Sequence, residues 1–303
     1  MDYNCVVLIK QVPDTKRITG QVMNDDGTVK RSALPAIFNP EDLNALELAL
    51  EIKDKYGARV TALTMGLPAA SEVLREALFR GADDAILITD PRCAASDTLA
   101  TSYILSCAVK RLDYDIVLCG RQAIDGDTAQ VGPQLAEKLG VTQITYVEQL
   151  IDLSDGAITA RRNIGNGFQR VKASLPVLLT VVGDANEPRV AAARKMMKFK
   201  KARTPIEIGR QMRAENSGAD ENKIRNLAEK SAAQLDEKGL LIKQWDLDCL
   251  EADLNWCGQG GSPTKVHRIQ SVVLTAKESK AVEPTADGLA DMIHELIADK
   301  TIA

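Results

Sequence analysis

The chain has 303 residues, 45% of them hydrophobic, with 38 basic and 42 acidic side chains and a formal net charge of −4. That composition affords a sizeable core in one large or two ordinary domains and gives no overall field for nucleic acid or an anionic membrane. No apolar run approaches a membrane span, the opening "MDYNCVVLIKQ" does not read as a secretory leader, and six cysteines without CxxC spacing suit a reduced, cytoplasmic protein.

The first predicted strand, 5–12 (CVVLIKQV), runs into the loop "KQVPDT", and a hairpin with "NDDG" as its turn is predicted over 21–31. Apolar residues at i, i+3, i+4 spacing then predict helices over 41–55, 69–80 and 97–111, separated by strands over 58–65, 84–90 and 115–119. Each strand is followed by a helix, which implies an α/β fold: a doubly wound, mainly parallel sheet covered on both faces. Ligands of such sheets bind beyond the carboxyl ends of the strands. That rule points to the loops after Val12, Met65, Asp90 and Cys119.

The loop after Cys119 is the most informative. "GRQAIDGDTAQVGP" places Asp125, Gly126, Asp127 and Thr128 between a buried strand and an apolar helix predicted over 129–139. Gly120 ends the strand with no Cβ in the way, and Gly126 is read as permitting a sharp turn or a close approach to a ligand. Thr128 is positioned to cap the helix, whose first-turn N–H groups attract phosphate. The aspartates repel phosphate themselves and suit ribose hydroxyls or the turn's own amides. An acid-rich N-cap on an ordinary helix explains the composition equally well. Elsewhere, Asn39 before Pro40 reads as a helix cap, and Gly66 permits close backbone approach after Met65.

After about residue 145 the pattern changes. Extended segments over 145–153, 157–163, 168–175 and 177–182, with "SDG" and "GNG" as turns, predict hairpins added to one sheet edge. The basic run 194–203 has only Phe199 for stacking on bases, so a solvated or partner-facing segment fits it better than nucleic-acid binding. Segment 220–238 reads as a helix with Ile224, Leu227 and Leu235 on one face and Glu221 paired with Arg225. A strand over 271–276 and a helix over 285–299 complete the chain. The isolated His267 and His294, and Cys249 with Cys257, lack metal-site spacing. An unrelated ATP-using enzyme on a similar sheet is disfavoured, because the loop after Val12 has no GxxxxGK phosphate grip.

"GRQAIDGDTAQVGP" resembles the nucleotide-binding signature of the electron transfer flavoprotein β subunit. "VLIKQVPDT" (7–15), "FNPEDLNALELAL" (38–50), "TMGLPAA" (64–70) and "EPRVAAARKMMKFKK" (187–201) resemble further segments of that family in order, and the likeness resumes at "GGSPTKV" (260–266). The stretch 213–257 departs from the pattern. The resemblance implies an α/β heterodimer with FAD in the α subunit and a second nucleotide in this one. In simple electron carriers that nucleotide is AMP, held structurally. In electron-bifurcating members it is a second FAD that takes a hydride from NAD(H). One electron then passes to a ferredoxin or flavodoxin, the other through the α-subunit FAD to an acyl-CoA dehydrogenase-type or other flavin dehydrogenase. Simple members carry a third acid where Gly126 stands, so "GDTAQVGP" and "KQVPDT" resemble the bifurcating group.

Carried over motif by motif, the resemblance sets the cofactor against Leu8, Lys10, Gln11 and Asp14, against Asn39, Pro40, Glu41 and Asp42, and against Met65 and Gly66. From the signature loop it adds Gly120, Gln122, Ala123, Ile124, Asp125, Gly126, Asp127, Thr128, Ala129, Gln130, Val131 and Gly132. Lys10 or Gln11 would hydrogen-bond the flavin's polar edge. The partner dehydrogenase is expected on Ala193, Arg194, Lys195, Met196 and Met197, with Ala193 where the family carries a bulky aliphatic anchor. The expected division is a nucleotide-binding domain over 1–185, a recognition segment and basic arm over 186–212, a partly helical insertion over 213–257, and a terminal strand and helix over 258–303.

Overall fold

The computed structural model describes residues 3–14, 35–265 and 281–298. The predicted hairpin at 21–31, the strand at 271–276 and His267 lie outside the described residues. Eleven strands and nine helices follow in chain order among those described. They are β1 (Asn4–Leu8), β2 (Gln11–Pro13), β3 (Ala36–Phe38), α1 (Pro40–Tyr56), β4 (Arg59–Met65), α2 (Ser71–Arg80), β5 (Asp84–Ile88), α3 (Thr98–Val109), β6 (Ile116–Gly120) and α4 (Val131–Leu139). Then come β7 (Thr142–Ser154), β8 (Ala157–Asn163), β9 (Phe168–Ser174), β10 (Val177–Val181), α5 (Ala193–Phe199), α6 (Pro205–Glu215), α7 (Glu221–Glu237), β11 (Lys243–Trp245), α8 (Gly258–Gly261) and α9 (Ala286–Ala298).

The main sheet has the order β11-β5-β4-β1-β6-β10-β7-β8-β9. Its strands from β11 to β7 pair in parallel, and β8 and β9 extend it antiparallel. Alternate residues of β1 divide between two cores, as a strand buried on both faces requires. Cys5 and Val7 pack with Leu46, Leu50 and Leu74 of α1 and α2; Val6 and Leu8 pack with Ile104, Leu105 and Leu135 of α3 and α4. The doubly wound α/β architecture is therefore present.

Three details differ from the sequence reading. The predicted strand 5–12 is two: β1 stops at Leu8, and Gln11–Pro13 leaves the sheet to pair antiparallel with Ala36–Phe38. β10 is no edge hairpin. All five of its residues are buried because it lies parallel between β6 and β7. On α7, Ile224 is buried while Leu227 and Leu235 are half-buried, but Glu221 pairs with Arg213 at 2.8 Å and Arg225 with Glu229 at 3.0 Å, in place of the predicted Glu221–Arg225 pair. The 213–257 stretch also supplies β11, which extends the sheet beside β5.

Candidate functional site

The carboxyl ends of β1, β4 and β6 open on one rim, and the loop 121–130 runs across it. β6 ends at Gly120, where a Cβ would stand 2.6 Å from Asp42 Oδ1 and 2.7 Å from the Asp42 nitrogen. Glycine is required there because the first turn of α1 lies against the strand end. Beyond it, the Ala123 carbonyl accepts from the N–H groups of Gly126 (3.3 Å) and Asp127 (2.9 Å). The left-handed residues are Asp127 (φ 49°) and Ala129 (φ 52°), whereas Gly126 is outside that region. The expectation that the turn itself needs Gly126 is thus corrected. A Cβ on Gly126 would meet nothing within 4 Å among the described residues, so their packing does not require glycine there.

The left-handed Ala129 also separates Thr128 from the helix. α4 starts at Val131, two residues later than predicted, and its N-cap residue Gln130 makes no side-chain cap. Thr128 is therefore not the cap. The Gln130 amide oxygen instead accepts from the Thr98 hydroxyl at 2.8 Å. No side-chain cap is made at the first turn of α4, so its N–H groups there have no side-chain acceptor among the described residues. At Gly132 a Cβ would stand 2.8 Å from Thr180 Cγ2 and 3.0 Å from Cys119 Sγ, so this glycine serves helix-on-sheet packing.

The first turn of α1 fastens the loop. Asn39, buried, does not cap its helix as predicted; its amide donates to the Gln122 carbonyl at 2.9 Å and its oxygen accepts from the Ile124 N–H at 3.1 Å. Glu41 accepts from the Gln122 N–H at 2.9 Å and pairs with Arg121 at 2.8 Å. Asp42, buried, accepts from the backbone N–H groups of Gly120 (2.8 Å) and Lys10 (2.9 Å). Burial pushes its carboxyl up to about 7, against the opposing pull of those two N–H groups, Asn39 and the Lys10 charge. Lys10 Nζ reaches Asp125 at 2.7 Å, so these two predicted ligand contacts hold each other.

The remaining predicted residues lie on the same rim or beneath it. Gln11 donates to the Ala69 carbonyl at 3.3 Å, linking the loops after β1 and β4. Asp14 is buried, and its N–H donates to the Pro35 carbonyl at 2.8 Å. Leu8 is buried under the rim, Met65 and Gly66 are half-buried at the end of β4, and Pro40 is exposed at the first position of α1. A Cβ on Gly66 would stand 3.1 Å from the Ala70 Cβ, so local packing already crowds that position.

Sequence reasoning missed Arg121, whose guanidinium pairs with Glu41 and lies 5.7 Å from the Tyr146 ring centre. It also missed the anchor of the recognition segment. Asn44 donates to the carbonyls of Gly183 (3.0 Å) and Asn186 (2.8 Å), and Glu47 accepts from the Arg189 backbone and guanidinium at 2.9–3.0 Å. The signal was present: in "LNALELAL", Asn44 and Glu47 interrupt an otherwise apolar helix face, and buried polar groups need partners. Past this anchor, Ala193, Arg194, Met196 and Met197 are exposed on α5, and Lys195 is half-buried. Among the described residues, no group of three or more His, Cys, Asp or Glu could hold a metal, and no helix is long and apolar enough to cross a membrane.

The electron transfer flavoprotein domain matches residues 26–206. The electron transfer flavoprotein subunit beta of Clostridium acetobutylicum is 37% identical over 293 residues, covering 97% of each chain. Protein FixA of Azorhizobium caulinodans is 37% identical over 295 residues, covering 95% of this chain and 91% of its own. The acryloyl-CoA reductase electron transfer subunit gamma of Anaerotignum propionicum is 47% identical over 188 residues, covering 60% of this chain and 69% of its own. The matched domain takes in α1, the rim loop 121–130 and the anchored segment after β10, and the C. acetobutylicum likeness runs nearly end to end: this chain belongs to the electron transfer flavoprotein family, as a β subunit.

Proposed function

We propose that this β subunit binds a second FAD at the rim formed by β1, β4 and β6 and takes part in electron bifurcation. In this reading NADH is the donor. A ferredoxin or flavodoxin takes one electron, and an acyl-CoA dehydrogenase-type partner takes the other through the FAD of the α subunit, all in the cytoplasm. The observation that carries it is Gly126: open space surrounds a Cβ built there, outside a loop that leads into an uncapped helix N-terminus. An acid at that position would put charge and bulk where a diphosphate has to pass. The A. propionicum relative is an acryloyl-CoA reductase electron transfer subunit, which supports a partner acting on a CoA ester.

FAD, when bound, would supply the exchange of electrons singly or in pairs. The chain's own part is binding and electrostatics. Backbone N–H groups at the start of α4 suit the diphosphate, and Asp127, which accepts from Gln122 at 3.2 Å, suits ribose hydroxyls. Lys10, held by Asp125, keeps a cation at the end of β1 that favours added negative charge on a ring beside it. The test is the nucleotide released on denaturing the purified αβ complex. Two FAD per complex is expected. One FAD with one AMP would overturn bifurcation and leave a structural AMP site; no second nucleotide would overturn both.

A further inference from the structure

Away from the rim, α2, the end of α5 and α6 enclose an open cavity of about 480 Å³ whose lining includes Glu72, Arg75, Lys200, Arg203, Glu207 and Arg210. Four cations thus face two carboxylates, and both carboxylates are already committed. Buried Arg75 donates to Glu72 at 2.6 Å, to Glu207 at 3.1 Å, to the Ser71 hydroxyl at 3.1 Å and to the Ala202 carbonyl at 3.3 Å. Burial pushes the Glu207 carboxyl up, but Arg75, the Thr204 N–H and Ser71 together hold it below its ordinary value, so it stays ionised at neutral pH.

Lys200, Arg203 and Arg210 therefore share one cavity with no carboxylate of their own among the described residues. Arg203 is fixed in place. Its Nη1 donates to the carbonyls of Lys200 and Ala202, each at 2.9 Å, and its backbone bridges to Leu240 and Ile242 ahead of β11. Three cations lining one cavity repel one another, and a bound anion relieves that cost.

We propose that this cavity binds the phosphoryl group of a small molecule. A phosphate monoester carries about −1.5 to −2 charges near neutral pH, which matches the surplus of cations over carboxylates. Guanidinium forks suit its oxygens. Phe79, also in the lining, offers an aromatic wall for the organic part, and the volume lies in the range of small-molecule sites. The ligand would clamp the end of α5, which follows the recognition segment, to α6.

The test is isothermal titration of the αβ complex with inorganic phosphate and with pyrophosphate, ionic strength held constant with chloride. Saturable binding of one phosphate per β subunit is expected. Combining Arg203→Ala with Arg210→Ala should weaken it about tenfold or more, the scale of one charge-assisted hydrogen bond. Arg225→Ala, on α7 outside the cavity lining and paired with Glu229, and Gly126→Val, in the rim loop, should leave it unchanged. Neither Arg203 nor Arg210 pairs with a carboxylate among the described residues, so the double variant should fold; if its melting point falls, Lys200→Gln serves as the second variant. Absence of saturable binding, or equal loss in Arg225→Ala, would overturn the site. Binding that appears only after the nucleotide has been removed from the complex, and that Gly126→Val abolishes, would place the phosphate in the rim loop, overturning this proposal while leaving that reading intact.

Discussion

Gly126 and Gly132 stand in one loop-and-helix unit and serve opposite needs. Gly126→Val introduces a side chain into open space at an ordinary φ, so its effect on unfolding free energy should stay within about 0.5 kcal/mol, as for a neutral surface change. It should nevertheless empty the nucleotide site, read as nucleotide content of the purified complex. Full retention would show that no ligand passes there. Gly132→Val should do the reverse, costing about 1–3 kcal/mol by overpacking against Thr180 and Cys119 before any ligand is considered. Chemical denaturation of both variants separates the two roles. Asp42 makes a further residue-scale prediction. Its proton is held more tightly in the folded chain than in the unfolded one. The stability it contributes is therefore complete below the ordinary carboxylate pKa and is lost as pH rises through about 7. Infrared spectra should show a buried protonated carboxyl titrating near that pH and missing in Asp42→Asn. Full ionisation already at about pH 5 would contradict the burial argument.

Among the elements, β11 is followed by a polar clamp that adds to its ladder with β5. Asp90 accepts from the Leu247 N–H at 3.2 Å and from Arg92, which also reaches Asp248 at 2.8 Å, so the loop after β5 grips the chain just beyond β11. The Arg92 guanidinium holds the Asp90 carboxyl down at about 2. Its stabilising share is complete above the unfolded carboxylate pKa and is lost below it, as pH falls through about 2. Asp90→Ala should lower the melting temperature by about 2–4 °C and speed amide exchange over 243–250 more than in β4 or β6. Uniform exchange would show that the strand is held by other contacts. These elements also mark how far the sequence was legible. β4, β5 and β6 were readable because strands buried on both faces are continuous apolar runs, and α7 because Ile224 recurs with Leu227 and Leu235 at helical spacing. β11 was not: three residues, Lys243–Trp245, are too short to show a period. Nor could periodicity place β10, since its four apolar residues and Thr180 are equally consistent with any buried slot. At the site, the residue types singled out the loop 121–130, which the structure sets across the rim. The caps assigned to Asn39 and Thr128 failed because local capping rules do not register a competing tertiary partner or a left-handed residue in between.

For the whole molecule, the anchored segment after β10 fixes how α5, the proposed docking element, is presented. Arg189 is tied to Glu47 and Asp54, and Ala192 donates to the Phe79 carbonyl, so α5 is presented from a fixed base. Met196 and Met197 are 42% and 63% exposed, and Ala193 offers little apolar area beside them. Arg194→Glu should weaken partner dehydrogenase binding at low salt and lose its effect as salt rises. Met197→Ala should weaken binding about tenfold at both salt concentrations, and Ala193→Leu should not weaken it. Affinities measured at two ionic strengths decide this, and salt-independent binding indifferent to Arg194 would move the docking site elsewhere. The position of β10 has a consequence for synthesis. The strand that fills the slot between β6 and β7 is made after both of them, and after the β8–β9 ribbon. Until residue 181 has left the ribosome, β6 and β7 each expose a bare ladder edge, the arrangement most open to pairing with another chain. The rim shares that delay, because the Arg121 N–H finds its acceptor only when the Val181 carbonyl arrives. A nascent chain cut short at 176 would thus carry every residue of the rim loop, yet would sooner recruit a foreign strand than the proposed nucleotide.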